Sequence, residues 1–236
     1  MNIIRRALPI VLLGVVPQLA IADTEFRLVS GFTEVGVTSG IDVDIRQGAE
    51  FEVEVEAEDT DDVITEVVGD TLRIYKDNSW HWYSFGLLSF FVDDDPMKVT
   101  VTLPELTRIR TSGGSDVRGQ GSFSGEDLEL RSSGGSNITL DLQYDSIDAR
   151  SSGGSTMHLS GSANRGMLTS SGGSRQDNDE LAVMDAELRS SGGSTLNVGV
   201  VGELQARASG GSNIRYEGDP MVRDIDESGG AKVMRR

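Results

Sequence analysis

An arginine recurs along the second half of this sequence, each time two residues before a Ser-Gly-Gly triplet. The series is Arg110, Arg131, Arg150, Arg189 and Arg207. Planar guanidinium groups suit the carboxylates of an anionic glycan or of a protein partner, so we consider the series a candidate binding face. The alternative is mutual neutralisation, because Glu129, Asp148 and Glu187 stand two residues before three of the arginines. Exposed ion pairs of this kind are common and individually weak.

A second candidate binding feature is the aromatic stretch within residues 77–96. It contains both tryptophans, Trp80 and Trp82, followed by Tyr83. Exposed, such a stretch would stack on sugars or contact a protein partner or a membrane interface. Folded inward, it would cover one open end of the protein, as repeat proteins require at their ends.

Catalytic and metal chemistry find little support in the composition. The chain has two histidines, His81 and His158, and no cysteine, so a transition-metal cluster is not expected. The run Asp93-Asp94-Asp95 matches no calcium-loop spacing, and solvated acidic loops are the favoured interpretation. We therefore predict no catalytic residue, no cofactor and no metal site.

Charge and hydropathy limit the partners and the compartment. A formal net charge of −17 disfavours binding to nucleic acid through bulk attraction. Arg5 and Arg6 precede a short apolar run, and Ala20-Ile21-Ala22 follows as a cleavage site, so residues 1–22 are predicted to be a signal peptide. No later run is long enough to cross a membrane. We expect an exported protein, in the periplasm, with the cell surface or secretion as alternatives.

The arginines are positioned by an internal repeat. Ser-Gly-Gly returns with steps of 21, 19, 19, 20, 18 and 19 residues, and alternating apolar residues before and after each copy predict two short strands per repeat. This predicts an all-β fold, a stacked parallel β-helix or β-solenoid with Ser-Gly-Gly corners. The predicted corner glycines are Gly113, Gly114, Gly134, Gly135, Gly153, Gly154, Gly172, Gly173, Gly192, Gly193, Gly210, Gly211, Gly229 and Gly230.

Stacking gives the glycines a physical reason. Corners lie over corners at the strand spacing, where side chains would collide, and glycine also adopts positive φ without strain. Residues 105–236 are predicted to form the repeats. Residues 23–104 are predicted to form N-terminal strands and a cap that continue into them, with residues 77–96 as the aromatic insertion.

The order of the motifs resembles one family. Ser39-Gly40-Ile41-Asp42, then Gly69–Ile74, then Val99–Leu106, then the serial Ser-Gly-Gly corners are together similar to the head GIN domain of bacterial envelope proteins labelled as autotransporter adhesins. The resemblance implies a right-handed parallel β-helix, export and an adhesive role.

Three functions follow as hypotheses. The first is a non-enzymatic binding or adhesion module of the cell envelope, with a glycan or an envelope protein as its partner. The second is a structural protein that forms homo-oligomers through an open solenoid end. The third is a polysaccharide lyase or hydrolase on a β-helix, an analogy at the level of fold alone.

Overall fold

The computed structural model describes residues 23–77 and 97–236. It is a β-solenoid of about 7 turns with coils of about 19 residues, which confirms the predicted fold class. The N-terminal strands are β1 (Asp23–Arg27), β2 (Glu34–Val37), β3 (Asp42–Gln47), β4 (Glu52–Ala57), β5 (Val63–Val68), β6 (Thr71–Lys76), β7 (Lys98–Leu103) and β8 (Arg108–Thr111), with a 3₁₀ turn at Thr60–Asp62. The later strands are β9 (Asp116–Ser132), β10 (Asn137–Ser151), β11 (Thr156–Ser170), β12 (Arg175–Ser190), β13 (Thr195–Ala208), β14 (Asn213–Glu217), β15 (Met221–Glu227) and β16 (Lys232–Arg235).

Each complete coil is one long strand that leaves a corner, bends and returns to the next corner. β10 pairs in parallel with both β9 and β11, which places Ile138 between Val117 and Met157. Alternate side chains point inward, and Ile138, Leu140 and Leu142 are buried in one continuous apolar core. The two short strands predicted for each repeat are joined in the structure because backbone pairing continues through the bend.

The two glycines of a corner have different roles. The first has φ between 62° and 73° in all seven corners, and a Cβ atom on Gly192 would lie 3.0 Å from the carbonyl oxygen of Gly172 in the preceding coil. In four corners the second glycine is not left-handed, and a Cβ atom on Gly193 would lie 3.6 Å from the same oxygen. Close stacking therefore excludes a side chain at the first glycine, whereas the sequence argument treated both alike.

Buried serines flank the glycines on both sides. They are Ser132, Ser151, Ser170 and Ser190 before the corner, and Ser115, Ser136, Ser155, Ser174, Ser194 and Ser212 after it. The Oγ atom of Ser174 lies 2.8 Å from the carbonyl oxygen of Ser171 in its own corner and 3.1 Å from that of Ser151 one coil earlier. These hydroxyls satisfy buried backbone groups and connect successive corners.

The N-terminal coils are stacked out of chain order. β3 lies between β7 and β9, and β2 lies between β6 and β8. The coil made by β6 and β7 therefore lies beneath the earlier coil made by β2 and β3. Antiparallel strands β4 and β5 pair with β7 and β6, and β1 pairs with β4. This end of the stack is closed by strands that run against the coils.

The segment from Thr38 to Asp42 forms a further corner that diverges from the Ser-Gly-Gly sequence. Ser39 and Gly40 have φ of 69° and 75°. A Cβ atom on Gly113 would lie 3.3 Å from the backbone nitrogen of Ser39, so the two corners are stacked directly. Ser39 occupies the place of the first glycine at the N-terminal end of the corner series.

Some sequence expectations fall outside the described residues. The signal peptide at 1–22 and nearly all of the insertion at 77–96 lie there, and the domain bounds stay predictions. Within residues 23–77 and 97–236, no helix has the length and hydropathy to cross a membrane.

We expect Gly192→Ala to destabilise the solenoid by about 2 kcal/mol or more. The left-handed backbone alone costs an alanine about 1–2 kcal/mol, and the Cβ atom would also meet the Gly172 oxygen. Gly193→Ala is the matched control, with an expected change within about 1 kcal/mol because its neighbour is at ordinary contact distance. Urea unfolding followed by circular dichroism measures both. Equal losses for the two variants would contradict the proposed difference between the glycines.

Candidate functional site: an arginine column on the solenoid face

The strand segments that precede the corners stack in register, so their outward residues form straight columns. The column two residues before the corner serine contains, in spatial order, Arg73, Gly36, Arg110, Arg131, Arg150, Thr169, Arg189, Arg207 and Asp226. We call its six arginines the arginine column. Neighbouring positions are separated by about 4.8 Å, the spacing of paired strands. The structure thus brings all five predicted arginines onto one face.

Arg73 joins the column although its sequence position did not indicate it. Its coil lies beneath that of Gly36 through the pairing of β6 with β2. No Ser-Gly-Gly triplet follows Arg73, so the repeat spacing could not place it. The alternation in Thr71–Lys76 identifies Arg73 as an outward residue, but only the stacking order gives its neighbours.

Acidic side chains two residues earlier pair with much of the column. Arg150 contacts Asp148 at 2.7 Å, and Arg131 and Arg189 contact Glu129 and Glu187. Exposed pairs of this kind contribute about 0–1 kcal/mol each. In the coil where threonine replaces the arginine, at Thr169, a methionine replaces the acid, at Met167. Along the middle coils the column is largely neutralised by its own neighbours.

One arginine of the neighbouring column reverses this pattern. Arg108 stands where other coils carry the acid. Its Nε atom lies 2.6 Å from Glu129 Oε2, and its Nη1 atom contacts Glu34. Burial raises the pKa of the Glu129 carboxyl, but the hydrogen bond and charge of Arg108, with the charges of Arg131 and Arg110, lower it below its ordinary value. At Glu34, burial also raises the pKa of the carboxyl, but hydrogen bonds from Thr71 and Arg108 lower it below its ordinary value.

Arg108 thereby uses the carboxylates that Arg110 would otherwise pair with. Among the ion pairs of the described residues, Arg110 has one contact, of 3.9 Å, to Glu129. Arg73 likewise has one contact, of 3.9 Å, to Glu66. Both side chains are more than half exposed. Positive charge is therefore poorly compensated at the N-terminal end of the arginine column, where two such arginines stand on either side of Gly36; Arg207, with a 3.9 Å contact to Asp224, is the similar case near the other end.

The aromatic candidates cannot be placed beside this face. Trp80, Trp82 and Tyr83 lie outside the described residues. β6 ends at Lys76 and β7 begins at Lys98, and these strands hold the positions before and after a corner in their coil. The role of the aromatic stretch stays a prediction.

A separate groove of about 640 Å³ contains His158 with several carboxylates on the strands that follow the corners. Asp141 accepts a hydrogen bond of 2.7 Å from Ser122, and Asp177 accepts one of 2.8 Å from Asn197. These carboxylates connect neighbouring coils. Among the described residues, no three His, Cys, Asp or Glu side chains are grouped as metal ligands. Hydrogen bonds between coils therefore account for Asp141 and Asp177 in this groove.

The Arg108 cluster should make stability depend on pH below about 4.5. Glu34 and Glu129 have lowered pKa values in the folded state, so their contribution is present above the unfolded carboxyl pKa and is lost as pH falls through the folded one. We expect Glu129→Gln to cost about 1–3 kcal/mol at neutral pH because Arg108 loses a charged partner. Thermal unfolding from pH 7 to pH 3 should show the gap to wild type closing as the pH falls.

Glu66→Gln is the control for this measurement, since its ion pair is long and exposed and should contribute less than about 0.5 kcal/mol. A gap between wild type and Glu129→Gln that stayed constant down to pH 3 would refute the electrostatic origin of the effect.

Three solved bacterial proteins have similar structures. One from Bacteroides fragilis, described as a putative adhesin, has a TM-score of 0.80 at 20% identity and covers 91% of this chain and 97% of its own. One from Parabacteroides distasonis, described as a putative lipid binding protein, has a TM-score of 0.70 at 17% identity, covering 92% and 97%. A putative adhesin from Parabacteroides merdae has a TM-score of 0.68 at 16% identity, covering 92% and 96%. At these identities the likeness shows a shared fold.

No curated protein matches the sequence. The sequence model of one family, described as "Putative auto-transporter adhesin, head GIN domain", matches residues 31–220. The match runs from just before β2 to just after β14, so it includes all six arginines of the column and six of the seven Ser-Gly-Gly corners. The chain therefore belongs to the head GIN domain family.

Proposed function

We propose that this protein is a non-enzymatic, exported binding module of the cell envelope that holds an acidic glycan along the arginine column. The observation that carries the proposal is the in-register stack of guanidinium groups, spaced by about one strand distance where consecutive arginines occur. The net charge of −17 disfavours long-range attraction of any polyanion, so the proposal depends on short-range contacts: a polymer with a carboxylate on each sugar can contact several such groups at once. Many weak contacts then sum to useful avidity.

Ion pairing within the face shapes this interaction. Arg131, Arg150 and Arg189 are each about half exposed, so their guanidinium groups remain accessible while bound to Glu129, Asp148 and Glu187. A glycan carboxylate would exchange with the side-chain carboxylate at each step. Each contact is then weak and sensitive to salt, as suits reversible adhesion to a long polymer.

Export and the absence of catalysis belong to the same proposal. The family description and two similar structures refer to adhesins, which favours a binding role outside the cytoplasm. The periplasm is the compartment that we favour, with the cell surface as the alternative. On the arginine face, the carboxylates of Glu129, Asp148 and Glu187 are occupied in ion pairs, and this favours binding over polysaccharide cleavage.

We expect Arg131→Ala combined with Arg150→Ala to weaken binding to immobilised polygalacturonate about tenfold, or about 1.4 kcal/mol. Arg118→Ala combined with Arg175→Ala is the control, because it removes two exposed, ion-paired arginines from the strands that follow the corners. Biolayer interferometry at two salt concentrations measures both variants. Unchanged binding by the Arg131 and Arg150 variant, or equal loss in the control, would reject the proposed face.

Self-assembly is a second candidate, favoured by the last coil. Val222 and Ile225 continue the inward ladders of Leu204 and Ala206, yet they are 46% and 40% exposed. Within the described residues, β15 pairs with β13 alone. A second copy of the chain, or further coils in a longer chain, would cover these apolar side chains.

If a second copy covers this end, sedimentation velocity should show a size that grows with protein concentration. Val222→Asp combined with Ile225→Asp should abolish that growth, because charge at the covered position opposes burial. Val201→Asp, a change at an exposed apolar residue elsewhere, should leave it intact. A monomer at every concentration would reject self-assembly.

A further inference from the structure

One glycine interrupts the arginine column. Gly36 lies between Arg73 and Arg110, paired in register with both. We propose that the cleft above Gly36 is the principal anion subsite of this protein and receives one carboxylate-bearing sugar unit. This inference rests on the proposed function and assigns that function its main point of contact.

The backbone does not require glycine at this position. Gly36 is not left-handed, and a Cβ atom there would lie 3.6 Å from Thr71 Cγ2 and 3.9 Å from the Leu72 oxygen. These are ordinary contact distances, unlike those at the first corner glycines. Glycine within a strand costs about 0.5–1 kcal/mol relative to alanine and commonly marks a close approach by a ligand or another backbone. The residue thus weakens the strand and leaves open space above it.

The chain itself shows that a side chain fits this column position. Thr169 occupies the same register position four places further along, between Arg150 and Arg189. Threonine is a good strand former. A side chain at Gly36 would therefore continue the column, and its absence is what opens the cleft.

The cleft is part of a groove of about 690 Å³ on the outer face. Arg73 forms one wall and Arg110 the other, with their strands about 9.5 Å apart, which is two strand spacings. Tyr75, Thr38 and Ser112 line the side nearest the corners. The groove is wide enough for a sugar ring and offers it an aromatic surface and hydroxyl partners.

Both walls carry poorly compensated arginines. Arg73 and Arg110 have ion pairs of 3.9 Å, as Arg207 has near the other end of the column, whereas Arg150 lies 2.7 Å from its acid. The long pairs leave donor groups directed to solvent. A carboxylate between Arg73 and Arg110 would accept hydrogen bonds from these donor groups without first displacing a close side-chain partner.

The surroundings favour a monoanion over a more highly charged group. Glu34 and Glu66 also line the groove, and Tyr75 donates a hydrogen bond of 3.4 Å to Glu66. Two carboxylates at the rim would repel a phosphate dianion more strongly than a single carboxylate. Planar, bidentate binding by guanidinium also matches a carboxylate. The cleft thus fits a uronic acid unit in particular.

The test is isothermal titration calorimetry with trigalacturonic acid, its fully methyl-esterified form and a sulfated trisaccharide that carries two sulfate groups on each sugar and so twice the charge per unit. Wild type should bind trigalacturonic acid at least tenfold more tightly than the ester and more tightly than the sulfated sugar. Gly36→Thr should weaken binding at least tenfold while the melting temperature stays equal or rises, since the change fills the cleft and removes a strand glycine. Arg110→Gln should weaken it at least fivefold.

Arg175→Gln is the control, because Arg175 is an exposed, ion-paired arginine on a strand that follows a corner, outside the arginine column, and its loss should change trisaccharide affinity less than twofold. Full affinity in a folded Gly36→Thr variant, or tighter binding of the sulfated sugar, would overturn the cleft assignment. Loss of long-polymer binding in the Arg131 and Arg150 variant beside normal binding in Gly36→Thr would overturn the cleft alone. Failure of wild type to bind either trigalacturonic acid or polygalacturonate would overturn the proposed function as well.

Discussion

The structure depends on one constraint, the parallel stacking of coils in register. Each residue has, as its nearest neighbours in space, the residues at the same position of the coils before and after it. The approach is close both at the corners, where a Cβ atom on Gly153 would lie 3.1 Å from the backbone nitrogen of Gly134, and at the bends, where a Cβ atom on Gly199 would lie 2.9 Å from the Leu181 carbonyl oxygen. Every side chain must therefore be compatible with the equivalent side chains of the neighbouring coils, about one strand spacing away. Apolar ladders achieve this by packing, and glycine ladders by having no side chain.

Polar columns need an additional device to satisfy this constraint. Buried hydroxyls do so by sharing carbonyl oxygens across coils, as Ser194 does with those of Ser191 and Ser170. Like charges repel when they are stacked, and an adjacent column of acidic residues compensates the charge of the arginine column. The joint replacement at Met167 and Thr169 fits this account, because an acid without its arginine would face the acids above and below it. Much of the charge on this face is therefore explained by the stacking of the coils, without reference to a ligand.

The period of the sequence was sufficient to predict the coils, the corners and the alignment of five arginines. It failed where spatial order departs from chain order. The coil of β6 and β7 lies beneath that of β2 and β3 because the antiparallel pairing of β4 with β7 and of β5 with β6 closes the end of the stack. Local patterns do not encode which distant strands pair, so Arg73 could not be recognised as a member of the column or placed beside Gly36. The sequence also could not distinguish the two corner glycines, since their difference lies in the geometry of one coil over the next.

Interruptions of the ladders separate structural needs from functional ones. Gln176 stands in an apolar ladder between Met157 and Leu196, but its amide donates to the Thr169 carbonyl oxygen at 2.8 Å and it accepts a bond from Asn178. That interruption is satisfied by its own hydrogen bonds and holds neighbouring coils in place.

Gly36 differs, because neither its φ nor its neighbours require glycine, and it forgoes both packing and an ion pair. A glycine that breaks the repeat, weakens the strand and lies between two poorly compensated arginines is not explained by the stability of the fold. Recognition of an anion explains it. In a solenoid the same stabilising contacts recur in every coil. Binding specificity is therefore expected at a coil that departs from the repeat without a structural reason.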